Sequence, residues 1–391
     1  MNNKKIKIIH IQLFPLMSGV QKVSFDEISL LDENLFERIV VCKCDGEFTE
    51  QLRKLGVRIH LIPELKREIS LVSDFLAYFQ LRAFLKRESP DIVHTHSSKT
   101  GILGRFAAHA ANVKAIIHTV HGYSFPGEQR LLFRFIFMLL ERMAAIVSHK
   151  IIVLNSADAE ISNKVLRIPR DKLALVPNGV DVTAYSPPTS KLRILLREKI
   201  FEISSNQHLI VGMVGRLSEQ KNPHCFLQAA LSVAERHSNV SFVMIGDGEL
   251  RPVLQPIIQN SRHRERISIL GWRRDITDIL QSIDIMVLPS RWEGMPLAIL
   301  ESMSIGVPVI ASNISGNNHL IRDGIDGTLF PSGDAYCLAQ SLDELIDNPA
   351  KRASYALKAR KKILSSYSLA SRIQNVLVIY YQLLKRPYIN E

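Results

Sequence analysis

Two glutamates set eight positions apart, Glu293 and Glu301, are the residues of this 391-residue chain best placed to do chemistry. They sit in RWEGMPLAILES, residues 291–302, directly behind the apolar run 283–288 and the pair Pro289-Ser290. An apolar run of that length reads as a buried parallel strand, and Pro296 suits the first position of a following helix. Glu293 then falls in the strand-to-helix turn and Glu301 on the helix. Eight residues at the helical rise span about 12 Å, the reach of a nucleotide diphosphate-sugar from sugar hydroxyls to ribose. Between the two carboxylates lie the free N–H groups of a helix N-terminus, a seat for a pyrophosphate. Two glutamates at this spacing are common in any helix. Their place at the carboxyl end of a strand, where open α/β sheets bind ligands, gives them meaning.

A second pair is cationic. The strand-like run 211–214 opens at Gly215 into a loop carrying Arg216 and Lys221. Arg216 offers a planar fork of donors and Lys221 a mobile point charge, which together suit diphosphate oxygens. Two solvated loop cations are the plainer alternative. In the first half, Gly19 follows a strand in PLMSGV and lets backbone come close to a phosphate or sugar. His121 precedes Gly122 at the carboxyl end of another strand, while His118 reads as a satisfied strand residue. His96, Ser97 and Lys99 end a further strand, either facing an acceptor or, for the serine, capping a helix. The segment IGDGE, 245–249, has part of a dinucleotide fingerprint, but Arg251 stands where its last glycine belongs. Gly271, ahead of Trp272 and Arg273, follows the next strand and offers backbone to a base pocket.

These residues need strands to end beside one another. Apolar, β-branched runs predict strands at 7–11, 39–42, 58–61, 92–95, 115–119, 151–154 and 174–176, then at 210–214, 241–245, 267–270, 285–288 and 309–311. Helical patterns intervene at 74–87, 101–111, 223–235, 250–259, 296–304 and 336–345. Alternating strand and helix in two halves predicts an α/β protein of two doubly wound, Rossmann-like domains facing across a cleft. The break is expected near 177–181, where Pro177 and Asn178-Gly179 mark a turn. That gives 1–180 as the first domain, 181–370 as the second, and 371–391 as a helix returning to the first.

Composition is that of an ordinary globular protein, 46% apolar and 22% charged. The formal charge of +11 is spread out rather than gathered into a tract. It argues against nucleic acid and suits a phosphorylated substrate or an anionic membrane surface. Four cysteines, Cys42, Cys44, Cys225 and Cys337, complete no zinc-site spacing and read as free thiols in a reducing cytosol. The N-terminus enters a short strand without the apolar core of a signal peptide, and no apolar stretch is long enough to span a bilayer. The most apolar helical pattern, 131–140, has two readings: a buried packing helix, or an interfacial helix on lipid aided by Lys66 and Arg67.

With these motifs in hand, the chain resembles the family-4 retaining glycosyltransferases of the GT-B fold. RWEGMPLAILES matches the E-x7-E signature, VGRLSEQK the G-R-x4-K phosphate motif, and PNGVD the interdomain segment. Where that family usually has two adjacent glycines, this chain has Ser18-Gly19. The resemblance implies that Glu293 contacts the donor sugar, with backbone at Gly294, Met295, Pro296 and Leu297 nearby. Glu301 would hold the ribose, Arg216 and Lys221 the diphosphate beside Gly215, and His121 with Gly19 the sugar side. It implies front-face displacement without a metal, since no D-x-D triad is present and the cation pair can neutralise the leaving group. The donor would be a nucleotide-sugar, UDP-linked first of all. HTHSSKTGILGR and TVHGYSF resemble enzymes that build bacterial O-antigen or capsule on a polyprenyl-diphosphate carrier, peripherally on the cytoplasmic face of the inner membrane. A sugar-nucleotide 2-epimerase of the same fold and a non-catalytic nucleotide-sugar sensor are the alternatives.

Overall fold

A computed structural model describes residues 4–66, 68–123, 130–203, 205 and 207–387. The chain forms two compact units, one of Met1–Asn178 with Ala370–Glu391 and one of Gly179–Leu369.

The first unit runs β1 (Ile6–Ile11), α1 (Gly19–Ser29), β2 (Phe36–Cys42), α2 (Glu47–Lys54), β3 (Arg58–Leu61), α3 (Leu71–Glu88), β4 (Ile92–His96), α4 (Ser98–Ala110), β5 (Ala115–Val120), α5 (Leu131–Ile146), β6 (Lys150–Val153), α6 (Ser156–Glu160) and β7 (Leu173–Leu175). Its sheet is parallel with order β3-β2-β1-β4-β5-β6-β7, so the winding reverses between β1 and β4. The pleat sends alternate residues to opposite faces. Ile9, Ile11, Val93 and Ile116 pack under α3 and α4, whereas Ile8, Ile92 and Ile117 pack under the chain's last helix. Two glycines set the height of α4: a Cβ at Gly101 would lie 2.5 Å from His118 Cε1, and one at Gly104 2.8 Å from Thr95 Cγ2.

The second unit contains α7 (Ser190–Phe201), β8 (Leu209–Val214), α8 (Pro223–Ala234), β9 (Val240–Ile245), α9 (Arg251–Gln259), β10 (Ile267–Gly271), α10 (Ile276–Ser282), β11 (Ile285–Leu288), α11 (Leu297–Ile305), β12 (Val309–Ser312), α12 (Ser315–Asn318), β13 (Thr328–Phe330), α13 (Ala335–Asp347) and α14 (Pro349–Ser366). Its parallel sheet has order β10-β9-β8-β11-β12-β13, reversing between β8 and β11. The final helix α15 (Leu369–Leu383) presents Val376, Ile379 and Tyr380 to the first sheet.

Three expectations need correction. Pro296 is the residue before α11, not its first: its φ of −73° fits a helix but its ψ of 123° is extended, so the helix starts at Leu297. The ring of proline fixes φ alone. The helical rise therefore applies only from Leu297 to Glu301, not across the whole interval from Glu293. Secondly, α5 is no buried packing helix, because only Glu141, Ala144 and Ala145 are buried while Leu131, Leu132 and Phe135 stand exposed. Thirdly, α7, α14 and β13 were not anticipated. α14 buries a stripe one residue wide, Tyr355, Ala359 and Ile363, too narrow to stand out among its lysines and arginines.

Candidate active site

Parallel strands bring their carboxyl ends to one edge, and the second unit's loops are tied together there. Gly215 N–H donates to Ile245 O at 2.9 Å, Leu217 N–H to Asp247 O at 3.0 Å, and Gly246 N–H to Gly271 O at 2.9 Å. Gly246 has a φ of +143°, and a Cβ on it would fall 2.0 Å from Gly215 O. Only glycine lets these two loops touch. The IGDGE segment thus braces the loop after β8, which is the work its glycines do.

At the switch point, the loops after β8 and β11 interlock. Arg291 N–H donates to Gln220 O at 2.8 Å, and Gln220 Nε2 to Trp292 O at 3.0 Å. Across this seam Lys221 Nζ donates to Glu293 Oε1 at 2.5 Å, and Ser290 Oγ donates to the same oxygen at 2.7 Å. The Lys221 and Glu293 side chains are 20% and 7% exposed, so the pair sits in a largely desolvated spot. Behind it Ser312 Oγ bonds Ser290 O, and Asn317 Nδ2 donates to Ser312 O at 2.9 Å. Gly316 presses on the turn itself. A carboxylate is thereby held beside an ammonium, just before a helix N-terminus. Arg216 reaches outward, with Nε donating to Glu249 at 3.0 Å and its side chain 58% exposed. Glu301 is nearly buried on α11, one turn after Leu297, and Gly271 has a φ of +71° beside the exposed Trp272.

In the first unit a different chemistry gathers at the β1/β4 switch. Register places His10 opposite His94, and the pleat puts His94 and His96 on the same face. Their rings stack at 4.4–5.4 Å between centroids. His96 also meets His121 at the end of β5, Nδ1 to Nε2 3.2 Å. His94 is bound elsewhere: Nε2 to Thr119 Oγ1 at 2.7 Å, Nδ1 to Glu27 Oε1 at 3.0 Å and to Tyr380 Oη at 2.6 Å. Glu27 is fully buried. Burial opposes its charge, but His94 and Arg372 outweigh it and hold the carboxyl well below the usual range. Burial pushes the His10 and His121 imidazoles down to about 3 and His96 well below 6.5, so all three are neutral at pH 7.

The structure therefore brings Lys221 and Glu293 into direct contact, with Gly215, Gly294, Met295 and Pro296 on the same two loops and Leu297 and Glu301 on the helix that follows. Gly19 opens α1, and a Cβ there would meet nothing within 4 Å. His118 is satisfied as expected, its Nδ1 lying 2.9 Å from Thr95 Oγ1. His96 is fully buried and presents nothing to an acceptor. Ser97 precedes α4 without making a side-chain cap, and Lys99 pairs with Asp74 at 2.6 Å. Sequence reasoning missed the Ser290–Ser312–Asn317 support of Glu293 and the partnership of His10 with His94 and His96. The HxH spacing was the available signal for the latter. All four cysteines are free thiols. Lys66 is exposed, whereas Arg67 and part of TVHGYSF lie outside the described residues.

Comparison with known proteins places this geometry. Residues 17–184 match the model described as Glycosyltransferase Family 4, and 197–362 that described as Glycosyl transferases group 1. The chain is 41% identical, over 97% of both chains, to an Escherichia coli UDP-Gal:alpha-D-GlcNAc-diphosphoundecaprenol alpha-1,3-galactosyltransferase. A Campylobacter jejuni N,N'-diacetylbacillosaminyl-diphospho-undecaprenol alpha-1,3-N-acetylgalactosaminyltransferase is 24% identical, over 89% of this chain and 92% of its own. Among solved structures, Anabaena HepE in complex with UDP superposes with a TM-score of 0.81 at 18% identity, covering 96% of this chain and all of that one. WaaG, a glycosyltransferase involved in lipopolysaccharide biosynthesis, gives 0.77 at 16%, covering 96% and 99%. At those identities the structures establish the GT-B fold alone.

Proposed function

The chain belongs to the family-4 glycosyltransferases, and from that membership we propose a retaining enzyme that moves a hexose, galactose first, from UDP to a saccharide on a polyprenyl diphosphate. The Lys221–Glu293 contact at the β8/β11 switch carries this reading. The name of the 41% identical relative supports the choice of donor and acceptor.

In this reading the bond from the anomeric carbon to the diphosphate oxygen breaks, and negative charge grows on the departing UDP. Lys221 has three N–H donors. One holds Glu293, and the others can take diphosphate oxygens as charge develops, with Arg216 swinging from Glu249 to join it. Lys221, already held at the switch, acts where charge appears without reorganisation. No metal is needed for that task. Glu293, fixed by Ser290 and Lys221, receives a hydroxyl of the sugar, and Glu301 receives the ribose. The family resemblance assigns Gly19 and His121 to a sugar or phosphate group of the substrates. The acceptor hydroxyl attacks the face the diphosphate leaves, and a phosphate oxygen takes its proton.

A lipid-linked acceptor calls for a surface that meets the bilayer. No helix among the described residues is long and apolar enough to cross a membrane. α4 packs against both α3 and α5, and those two helices turn apolar side chains outward: Leu71, Val72 and Phe75 on α3, Leu131, Leu132 and Phe135 on α5. Arg130, Arg134 and Arg142 are exposed along α5, whose one acid, Glu141, is buried against Arg105. Apolar surface rimmed by arginine fits an anionic leaflet. We therefore assign the protein to the cytoplasmic face of the inner membrane, bound peripherally.

The stereochemistry tests the reading. Proton NMR of the first product from an α-linked UDP-sugar should show an α linkage, and a β linkage would overturn retention.

A further inference from the structure

The buried imidazoles at the β1/β4 switch form a string that ends on His121. His10 Nδ1 lies 3.1 Å from His96 Nε2, and His96 Nδ1 lies 3.2 Å from His121 Nε2. His94 stacks beside the string without joining it, since both its nitrogens are bound to other partners. His10 and His96 have no exposed surface, whereas His121 as a residue is half-buried. A neutral imidazole carries one N–H and one lone pair. Two bonds through three such rings can form together in only two ways: every proton points toward His121, or every proton points toward His10. Any other arrangement sets two N–H groups or two lone pairs face to face and loses a bond.

The far end of the string decides between them. His10 Nε2 is buried and has no hydrogen-bond partner among the described residues. If the protons point toward His10, that orphan nitrogen carries an N–H; if they point toward His121, it carries a lone pair. Orphaned buried N–H groups are rarer than under-satisfied acceptors. We infer that His96, backed by His10, is a positioning residue that fixes His121 as the Nδ1–H tautomer, so that Nδ1, the nitrogen the string leaves unused, offers a donor to a sugar or phosphate oxygen. The use of that donor rests on the function proposed above; the tautomer itself does not.

Nitrogen-15 NMR of histidine-labelled full-length protein at pH 7 reads the tautomer directly, without turnover. The expected result is a protonated Nδ1 and a bare Nε2 on His121. His96→Asn places an amide N–H where His96 Nδ1 was and should keep the tautomer; His96→Phe removes the donor and should give a mixture. On the turnover side, His96→Phe should lower kcat about tenfold with KM unchanged, and His96→Asn should restore most of it. A protonated Nε2 on His121 in the wild type would overturn the inference, as would an unchanged tautomer in His96→Phe. Metal found on the purified protein at His10, His94 and His96 would also overturn it, because a coordinated His96 could not keep both bonds. The expected tautomer in a protein that transfers no sugar would instead count against the proposed function alone.

Discussion

Gly316→Ala singles out the placement of Glu293. Gly316 lies in α12 with a backbone that alanine adopts freely, and in an ordinary helix the change gains about 0.5–1 kcal/mol. Here the added Cβ would stand 2.5 Å from Glu293 O and 2.8 Å from Glu293 C and Cβ, against the 3.4 Å where ordinary contact begins. The turn must give by roughly 1 Å, and Ser290 and Lys221 resist because they grip the carboxylate. A misplacement of about 1 Å can cost about a hundredfold in rate, or about 2.7 kcal/mol of transition-state stabilisation. Overpacking costs about 1–3 kcal/mol. Offset by the helical gain, the net loss of stability is small, and each kcal/mol lowers Tm by about 2–4 °C in a domain of this size. Activity should therefore fall far more than stability, read as kcat/KM for UDP release beside a thermal melt. Gly324→Ala is the control: its φ of +69° costs the alanine about 1–2 kcal/mol, but its Cβ meets nothing within 4 Å. Wild-type kcat/KM and Tm in Gly316→Ala would refute the reasoning.

Gly19→Val should leave the melt within about 1 °C, since nothing lies within 4 Å of a Cβ there, yet raise KM for the donor at least tenfold; an unchanged KM removes Gly19 from the site. Burial pushes the Asp158 carboxyl up to about 6 from 3.8, so it folds more readily protonated, and its contribution is lost as pH rises from about 4 to about 6. Asp158→Asn should therefore gain up to about 3 kcal/mol at pH 7 and almost nothing at pH 3, measured by urea unfolding at both. Replacing Leu132 and Phe135 together by serine should abolish co-flotation with vesicles containing anionic lipid while leaving the melt unchanged; undiminished flotation would move the membrane surface away from α5.

Much of the second unit's site was legible because its residues are neighbours in sequence. Arg216 and Lys221 share a loop, and Glu293 and Glu301 flank one helix start, so local strand and helix signals sufficed to place them. The roles proposed for them come from the resemblance, since no spacing could supply them. The rest depends on register. Nothing in the order of residues says that β1 will lie beside β4, yet that pairing alone brings His10 onto His94. Ser312 supports Ser290 only because β12 is parallel to β11, and Gly316 matters through contact with a turn more than twenty residues away. Pro296 misled because a proline's φ suits both the residue before a helix and the first within it. α5 left two readings open because hydrophobicity does not tell which solvent a helix meets.

The most direct test of the account is release of nucleotide from UDP-, GDP- and ADP-sugars, with and without N-acetylglucosaminyl-diphosphoundecaprenol, in wild type, Glu293→Ala and Lys221→Ala. The account predicts release from UDP-galactose that requires the lipid, gives a galactosylated product, and falls at least a hundredfold in both variants. Isomerised sugar formed without lipid, or tight donor binding with no release under any condition, would contradict it.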